Sequence, residues 1–152
     1  MPVSPFPEGY HRITPYLVVD GAARAIDFYS KHFGAVEFVR MPGPNGAVMH
    51  AEMKIGDSVF MLADQVPEMG FKAPGAFGGS PVSLLLYVED VDTVVSKAVE
   101  AGATLLRPVE NQFYGDRAGT LADPFGHIWT VATHVEDVSP EEMQRRMEKM
   151  GG

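Results

Sequence analysis

The chain has 152 residues, no cysteine, a formal net charge of −8 and a pI near 5.0. The lack of cysteine excludes disulfides and thiolate metal sites, and suits a reducing compartment. The negative charge argues against a nucleic-acid partner, because phosphate backbones repel an acidic surface. The first residues lack the apolar core of a signal peptide, and no apolar run approaches the roughly 20 residues of a membrane span. We therefore expect a cytoplasmic protein with no membrane partner.

The first half of the chain predicts a strand, a helix and three further strands. Residues 1–10 carry three prolines and are expected to be an irregular lead-in. The predicted elements are a strand at 13–19, a helix at 21–33, and strands at 35–41, 47–55 and 58–63. Asp20 is the predicted N-cap of the helix, and Gly34 ends it.

The segment 64–80 interrupts this pattern and is predicted to link two halves. It is rich in Gly, Pro and Ala, with Met69, Phe71 and Phe77 interspersed. A surface loop and a lid over a cleft are both consistent with this composition, and the three large apolar residues favour the lid.

The second half predicts the same order of elements again. They are a strand at 82–88, a helix from Asp90 to Ala101 that Gly102 ends, and strands at 103–107, 112–122 and 127–133. A last helix at 139–150 has Ser139 as its N-cap and Glu142 in a capping box. Its methionines, Met143, Met147 and Met150, share one face, which predicts docking on the body of the protein or on a partner, with the body favoured.

Landmarks in the two halves repeat at a nearly constant offset. Val19 and Val88 are 69 residues apart, Gly34 and Gly102 are 68 apart, and Gly56 and Gly126 are 70 apart. The sequence therefore predicts an α+β fold of two tandem β-α-β-β-β units, at 11–63 and 81–134, within one domain spanning 11–137. Their curved mixed sheets, each with its helix on one face, are expected to surround a cleft.

Alternation along the strands predicts which side chains face the helices and which face the cleft. The predicted helix-facing residues are Ile13, Leu17, Val19, Met49, Ala51, Met53, Ile55, Val82, Leu84, Leu86, Val88 and Trp129. The predicted cleft residues include Thr14, Tyr16, His50, Glu52, Ser83, Tyr87 and Thr130. Their mixed aromatic and polar character suits a small-molecule cleft, and also a solvated sheet face or a dimer interface.

Two polar clusters are candidates for chemistry. His50 and Glu52 lie two residues apart on one strand face and could bind a divalent metal or share a proton; a plain hydrogen-bonded pair is the alternative. Tyr114 and Arg117 form the second cluster, in which Arg117 could bind an anionic group with Asp116 orienting it. The alternative for Arg117 is an internal ion pair. Of the other histidines, His11, His32 and His134 are predicted to be peripheral.

Four segments carry a resemblance to a known superfamily. They are ITPYLVVDGAARAIDFYSKHFGA, HAEMKIGDSVFMLAD, LLYVEDVDTVVSKAVEAGA and YGDRAGTLADPFGHIWTVATH. Together they resemble the vicinal oxygen chelate superfamily of glyoxalase I, bleomycin-resistance proteins and extradiol dioxygenases, in its glyoxalase-like or 3-demethylubiquinone-methyltransferase-like branch. The resemblance implies paired β-α-β-β-β units, a cleft in each U-shaped sheet, and a homodimer, often with exchanged halves.

The resemblance also locates the positions where metal-using members hold their ion. Here these positions are Thr14, Glu52, Ser83 and Thr130, of which only Glu52 is of a usual ligand type. A divalent ion needs about three or more protein ligands, so the sequence predicts no metal cofactor. Glu52 and His50 are the only metal candidates.

Three hypotheses follow. The first is a metal-free dimeric protein that binds an unidentified small molecule. The second is a metal-dependent lyase, isomerase or dioxygenase that uses Glu52, His50 and a further ligand. The third is a structural or regulatory dimer whose cleft is filled by its own side chains.

Overall fold

A computed structural model describes residues 2–151. Its contacts divide the chain into two compact units. The first unit comprises the chain up to Ser80 together with Phe125–His127, and the second comprises Pro81–Pro124 together with the chain from Ile128. Within the described part of the chain, no helix combines the length and the apolar character that crossing a membrane requires.

The first unit is a four-stranded mixed sheet with one long helix. Its elements are β1 (Tyr16–Val19), α1 (Ala22–Phe33), β2 (Val36–Pro42), β3 (Val48–Ile55) and β4 (Ser58–Asp64). The strand order is β1-β4-β3-β2, with β1 and β4 parallel and the other pairs antiparallel.

The second unit repeats this topology. Its elements are β5 (Ser83–Tyr87), α2 (Val91–Glu100), β6 (Thr104–Asn111), β7 (Asp116–Ala122) and β8 (Ile128–His134), followed by α3 (Pro140–Gly151). The order β5-β8-β7-β6, with β5 and β8 parallel, reproduces the first sheet strand for strand. The predicted α+β fold of two β-α-β-β-β units is confirmed.

The helix α1 packs an aromatic face on one side of the first sheet. Tyr29 is fully buried, and its ring meets that of Phe60 on β4 edge to face at 5.6 Å between centroids. Leu17, Ala51 and Met53 are buried on this side, as the alternation predicts. Two predictions for this face are wrong: Ile13 is 88% exposed because it precedes β1, and Met49 is 66% exposed at the β-bulge where β2 and β3 shift register.

Asp20 does not cap α1, which corrects the sequence prediction. The N-cap residue is Gly21, whose φ of 100° lies in the left-handed region that glycine tolerates best. Asp64, at the end of β4, supplies the capping carboxylate instead: one oxygen accepts the N–H groups of Gly21 and Ala22 at 2.9 and 2.8 Å, and the other accepts that of Val48 at 2.8 Å. The cap is therefore a tertiary contact between α1, β3 and β4.

The equivalent position of the second repeat holds α2 in a similar way. Thr133, 69 residues after Asp64, accepts the N–H of Val91 through its hydroxyl oxygen at 3.1 Å and donates its O–H to Val88. Asp90, in contrast to Asp20, is a true N-cap and accepts the N–H of Thr93. Each repeat thus uses the end of its last strand to hold the start of its helix.

The segment 64–80 contains two short 3-10 turns, Pro67–Met69 and Pro74–Phe77. Gln65 fixes its base by accepting the N–H of Ala73, and Ala73 and Pro74 are buried. The three large apolar side chains of the segment, Met69, Phe71 and Phe77, are all more than half exposed.

The C-terminal helix α3 begins as predicted but docks differently. Ser139 accepts the N–H of Glu142 at 3.1 Å, while the Glu142 carboxylate pairs with Arg145 and Arg146. The predicted docking of the whole methionine face is wrong: Met147 and Met150 are 49% and 68% exposed, and only Met143 is half-buried. Arg146 ties the helix down instead, by donating to the Phe113 carbonyl at 3.0 Å and pairing with Glu136 at 2.8 Å.

Candidate functional site

The face of the first sheet opposite α1, here called the helix-free face, carries the main candidate site. The strand register places Tyr16, Met61 and Glu52 in one row across β1, β4 and β3. A neighbouring row contains Val59, Lys54 and Val36 on β4, β3 and β2. Since a strand rises about 3.3 Å per residue, the two rows are roughly 7 Å apart.

Three of the predicted cleft residues form one hydrogen-bonded chain on this face. The Tyr16 hydroxyl lies 2.9 Å from Nδ1 of His50, and Nε2 of His50 lies 2.7 Å from Oε2 of Glu52. The His50 and Glu52 side chains are 20% and 14% exposed, whereas Tyr16 is 49% exposed. Glu52 is thus the sheltered end of the chain, and Tyr16 is the end that solvent or a ligand can reach.

The chemistry of these groups sets the direction of the hydrogen bonds. An ionised carboxylate only accepts, so Nε2 of His50 carries the hydrogen that Glu52 receives. In the tautomer that carries its hydrogen on Nε2, Nδ1 of His50 accepts the O–H of Tyr16. Partial burial raises the pKa of the Tyr16 hydroxyl, which keeps it protonated. In that tautomer, the Tyr16 oxygen is left as an acceptor for a ligand.

A cavity of about 310 Å³ lies at the second row of the same face. Its lining consists of Glu8, Gly9, Tyr10, Val36, Phe38, Lys54 and Val59. Local sequence does not indicate this cavity, because part of its wall is segment 8–10 of the irregular lead-in, whose packing no sequence pattern predicts. The alternation that put His50 and Glu52 on this face also puts Lys54 there.

The second unit also carries a tyrosine-based chain on its helix-free face. Tyr87 donates to Asp116 at 2.8 Å, and the other Asp116 oxygen accepts from Nδ1 of His134 at 2.8 Å. Nε2 of His134 donates to Asp137 at 2.7 Å. Asp116 is only 4% exposed, so its two partners satisfy a carboxylate that is buried.

The carboxylates of Asp116 and Asp137 affect the pKa values of the other groups in this second hydrogen-bonded chain. Hydrogen bonds to Asp137 and Asp116 raise the pKa of His134, because both favour the charged imidazolium. The hydrogen bond to Asp116 raises the pKa of Tyr87. His134, predicted to be peripheral, is therefore part of a polar cluster. The signal that could have revealed it is its register opposite Asp116.

Arg117 lies on the other face of its strand, next to α2. Its guanidinium donates to both oxygens of Asp92 at 2.8 and 2.9 Å and to Asn111 at 3.2 Å. This pairing lowers the pKa of Asp92 and raises that of Arg117. Arg117 thus forms an internal ion pair, which is the alternative prediction for this residue. Asp116 does not orient Arg117.

The remaining predicted site residues take no part in the two hydrogen-bonded chains. Thr14 is half-buried just before β1, and Ser83 is exposed at the start of β5. Thr130 shares a hydrogen bond of 3.0 Å with Thr120 on β7. Tyr114 is 38% exposed in the loop before β7, with its ring edge-on to Phe113. Their part in ligand binding stays a prediction.

The side chains at the positions where metal-using relatives place their ligands do not fit a divalent ion. Thr14, Ser83 and Thr130 offer neutral hydroxyls, which are poor ligands beside the carboxylate, imidazole and thiolate groups that zinc prefers. Glu52 is the single carboxylate, and it accepts from His50. Within residues 2–151, no three His, Cys, Asp or Glu side chains are grouped in a way that could hold a metal.

Comparisons with known proteins place this architecture in a family. An uncharacterized protein of Mycobacterium tuberculosis is 47% identical over 142 residues, which cover 91% of this chain and 84% of that protein. The X-ray structure of an Arabidopsis thaliana gene product is 29% identical with a TM-score of 0.65, covering 81% of this chain and 98% of that one. TioX from Micromonospora sp. ML1 has the same fold, with a TM-score of 0.63 at 23% identity, covering 83% of this chain and 100% of its own.

The family model agrees with these likenesses and with the repeated topology. Residues 9–131 match it, a range that includes all eight strands except the last residues of β8. The chain belongs to the Glyoxalase/Bleomycin resistance protein/Dioxygenase superfamily.

Proposed function

We propose that this protein binds a small organic molecule on the helix-free face of its first unit, as a glyoxalase/bleomycin-resistance-type binding protein that works without a metal ion. The observation that carries the proposal is the chain from Glu52 through His50 to Tyr16, which ends at an exposed hydroxyl one row from the cavity. Pockets for small molecules typically combine apolar walls with a few fixed polar groups.

The polar chain favours a ligand that carries a hydrogen-bond donor. When Nδ1 of His50 accepts the hydrogen of Tyr16, the Tyr16 oxygen is an acceptor that a ligand O–H or N–H group satisfies. Glu52 fixes the ring of His50, which fixes the tyrosine in turn. Such preorganisation lowers the entropy that binding costs.

The metal-free part of the proposal is supported by the donor set. Three of the four ligand positions carry neutral hydroxyls, and the fourth is engaged by a histidine. We expect protein purified without a chelator to contain much less than one equivalent of divalent metal by mass spectrometry. Ligand affinity should be the same with and without EDTA; affinity that EDTA abolishes and a metal restores would contradict this part.

The cavity also favours the binding of a small molecule over the third hypothesis, in which the protein's own side chains fill the cleft. A volume of about 310 Å³ is at the lower end of the range of about 300–1,000 Å³ that small-molecule sites occupy. In a structural dimer with a filled face, this space would be closed.

The test is a thermal-shift screen with a library of small hydroxy and amino compounds, followed by calorimetry with Tyr16→Phe. Loss of the acceptor should lower the affinity of a stabilising compound about 5–10-fold, the worth of one hydrogen bond. Glu100→Gln is the control, because Glu100 is an exposed residue at the end of α2 in the second unit and its change should leave the affinity unaltered. Hits that bind Tyr16→Phe as tightly as the wild type, or a screen without hits, would argue against the proposal.

A further inference from the structure

Lys54 is the one basic side chain among the residues that line the cavity. It lies on β3, between Val36 on β2 and Val59 on β4 in the sheet register. Phe38 and Tyr10 add two aromatic rings to the wall, and Val59 is only 9% exposed. The cavity therefore has mostly apolar walls, and its one ammonium group is on an exposed side chain of β3.

The ammonium of Lys54 has no carboxylate partner among the described residues. Each ion pair of residues 2–151 joins other side chains, and the acidic residue of the cavity, Glu8, is on the lead-in and not within pairing distance. In the same unit, the arginine Arg40 is paired with Glu37. A cation without a partner beside apolar walls is a ready site for an anionic group with an apolar body.

We propose that the cavity between segment 8–10 and strands β2, β3 and β4 binds a small organic carboxylate, with Lys54 pairing with the carboxylate and Val36, Phe38 and Val59 packing against its apolar body. This inference deepens the proposed function and rests on it in placing the ligand on the helix-free face of the first unit. It adds the chemical class of the ligand and a group of binding residues that the polar chain does not include.

The spacing of the two rows adds a geometric requirement. Lys54 follows Glu52 by two residues on β3, so the ammonium and the polar chain start from positions roughly 7 Å apart. A molecule that reaches both would carry its carboxylate at Lys54 and a donor group toward Tyr16. The lysine ammonium is a compact charge, whereas the arginine guanidinium is planar and binds a carboxylate with two parallel hydrogen bonds. Lys54 can therefore pair with a carboxylate in several orientations.

The test titrates isotope-labelled protein with phenylacetate, phenylacetamide and phenethylamine, which share a ring and differ in charge. Phenylacetate should shift the amide resonances of Val36, Lys54 and Val59 and bind about tenfold more tightly than phenylacetamide. Lys54→Met should remove that preference, and Lys54→Arg should keep it. Lys31→Met is the matched control, because Lys31 lies on α1, on the other side of the sheet.

Three results would overturn the inference: equal binding of the amide or the amine, shifts away from the cavity, or an unchanged preference in a folded Lys54→Met protein. Tyr16→Phe separates this inference from the proposed function. If phenylacetate shows the Lys54-dependent preference while no library compound responds to Tyr16→Phe, the carboxylate site stands and the role of the polar chain fails. If library compounds respond to Tyr16→Phe but phenylacetate shows no dependence on Lys54, the carboxylate site fails alone.

Discussion

At the scale of single residues, Asp64 links three parts of the first unit through one carboxylate. It accepts two N–H groups at the start of α1 and one at the start of β3. These donors belong to backbone that is partly buried, so each needs a partner within the protein. The carboxylate therefore stabilises the helix and the sheet together.

Replacing Asp64 tests this directly. Asp64→Asn keeps the size of the side chain but removes the charge and turns an amide donor toward a backbone N–H, so we expect a loss of about 2–4 kcal/mol in the free energy of unfolding. Urea unfolding measures it. Asp20→Asn is the control and should change stability by less than about 0.5 kcal/mol; an equal loss in both variants would contradict this account of the cap.

We expect His134 to make the stability of the protein depend on pH. Its pKa is raised in the folded protein above the ordinary value of 6.5, first by Asp137 and then by Asp116. A raised folded-state pKa gives stability that is full below the unfolded-state pKa and is lost as the pH rises through the folded-state pKa. We expect His134→Gln to destabilise the protein at about pH 5.5 and to have a smaller effect at about pH 8.5.

Unfolding at the two pH values measures this difference. His11→Gln provides the comparison, since His11 is an exposed residue of the first unit. A His134→Gln effect that is the same at both pH values would show that the histidine contributes packing and not charge.

At the scale of elements, the helix α3 illustrates how a local pattern can mislead about docking. The capping serine and the length of the helix follow from local sequence. Three methionines on one face indicate burial, but two of them are exposed in the structure. The contact that holds the helix is a guanidinium on a backbone carbonyl and on a glutamate ten residues earlier, and no spacing rule for helices predicts it.

Removing this contact should loosen α3 alone. We expect Arg146→Met to speed the hydrogen exchange of the α3 amides several-fold and to leave the strands unchanged. Arg145→Met is the matched control, because Arg145 pairs with Glu142 of the same helix. Equal exchange in the two variants would mean that Arg146 does not hold the helix.

At the scale of the whole molecule, the duplicated order of strands and helices could be predicted from the sequence. The positions of turns and helix ends are set by residues that are close in sequence, such as the glycines at Gly34 and Gly102. The constant offset between the two repeats could therefore be seen without the structure. The candidate site could be predicted only in part. The alternation along the strands placed Tyr16, His50 and Glu52 on one face. The cavity, however, depends on where segment 8–10 packs. The ion pair of Arg117 with Asp92 depends on the face of β7 against which α2 lies.

The family resemblance further predicts a homodimer. Light scattering after gel filtration should then give a mass near twice that of one 16.5 kDa chain. A mass of one chain at all concentrations would contradict the prediction.

The most direct test of the central claim is a map of amide chemical-shift changes for the tightest compound from the screen, recorded in the presence of EDTA. Metal-free binding at the proposed site should give changes concentrated on the helix-free face around Tyr16, His50, Glu52 and Lys54, and the binding should be saturable without a metal. Changes confined to other surfaces, or binding that appears only after a divalent ion is added, would contradict it.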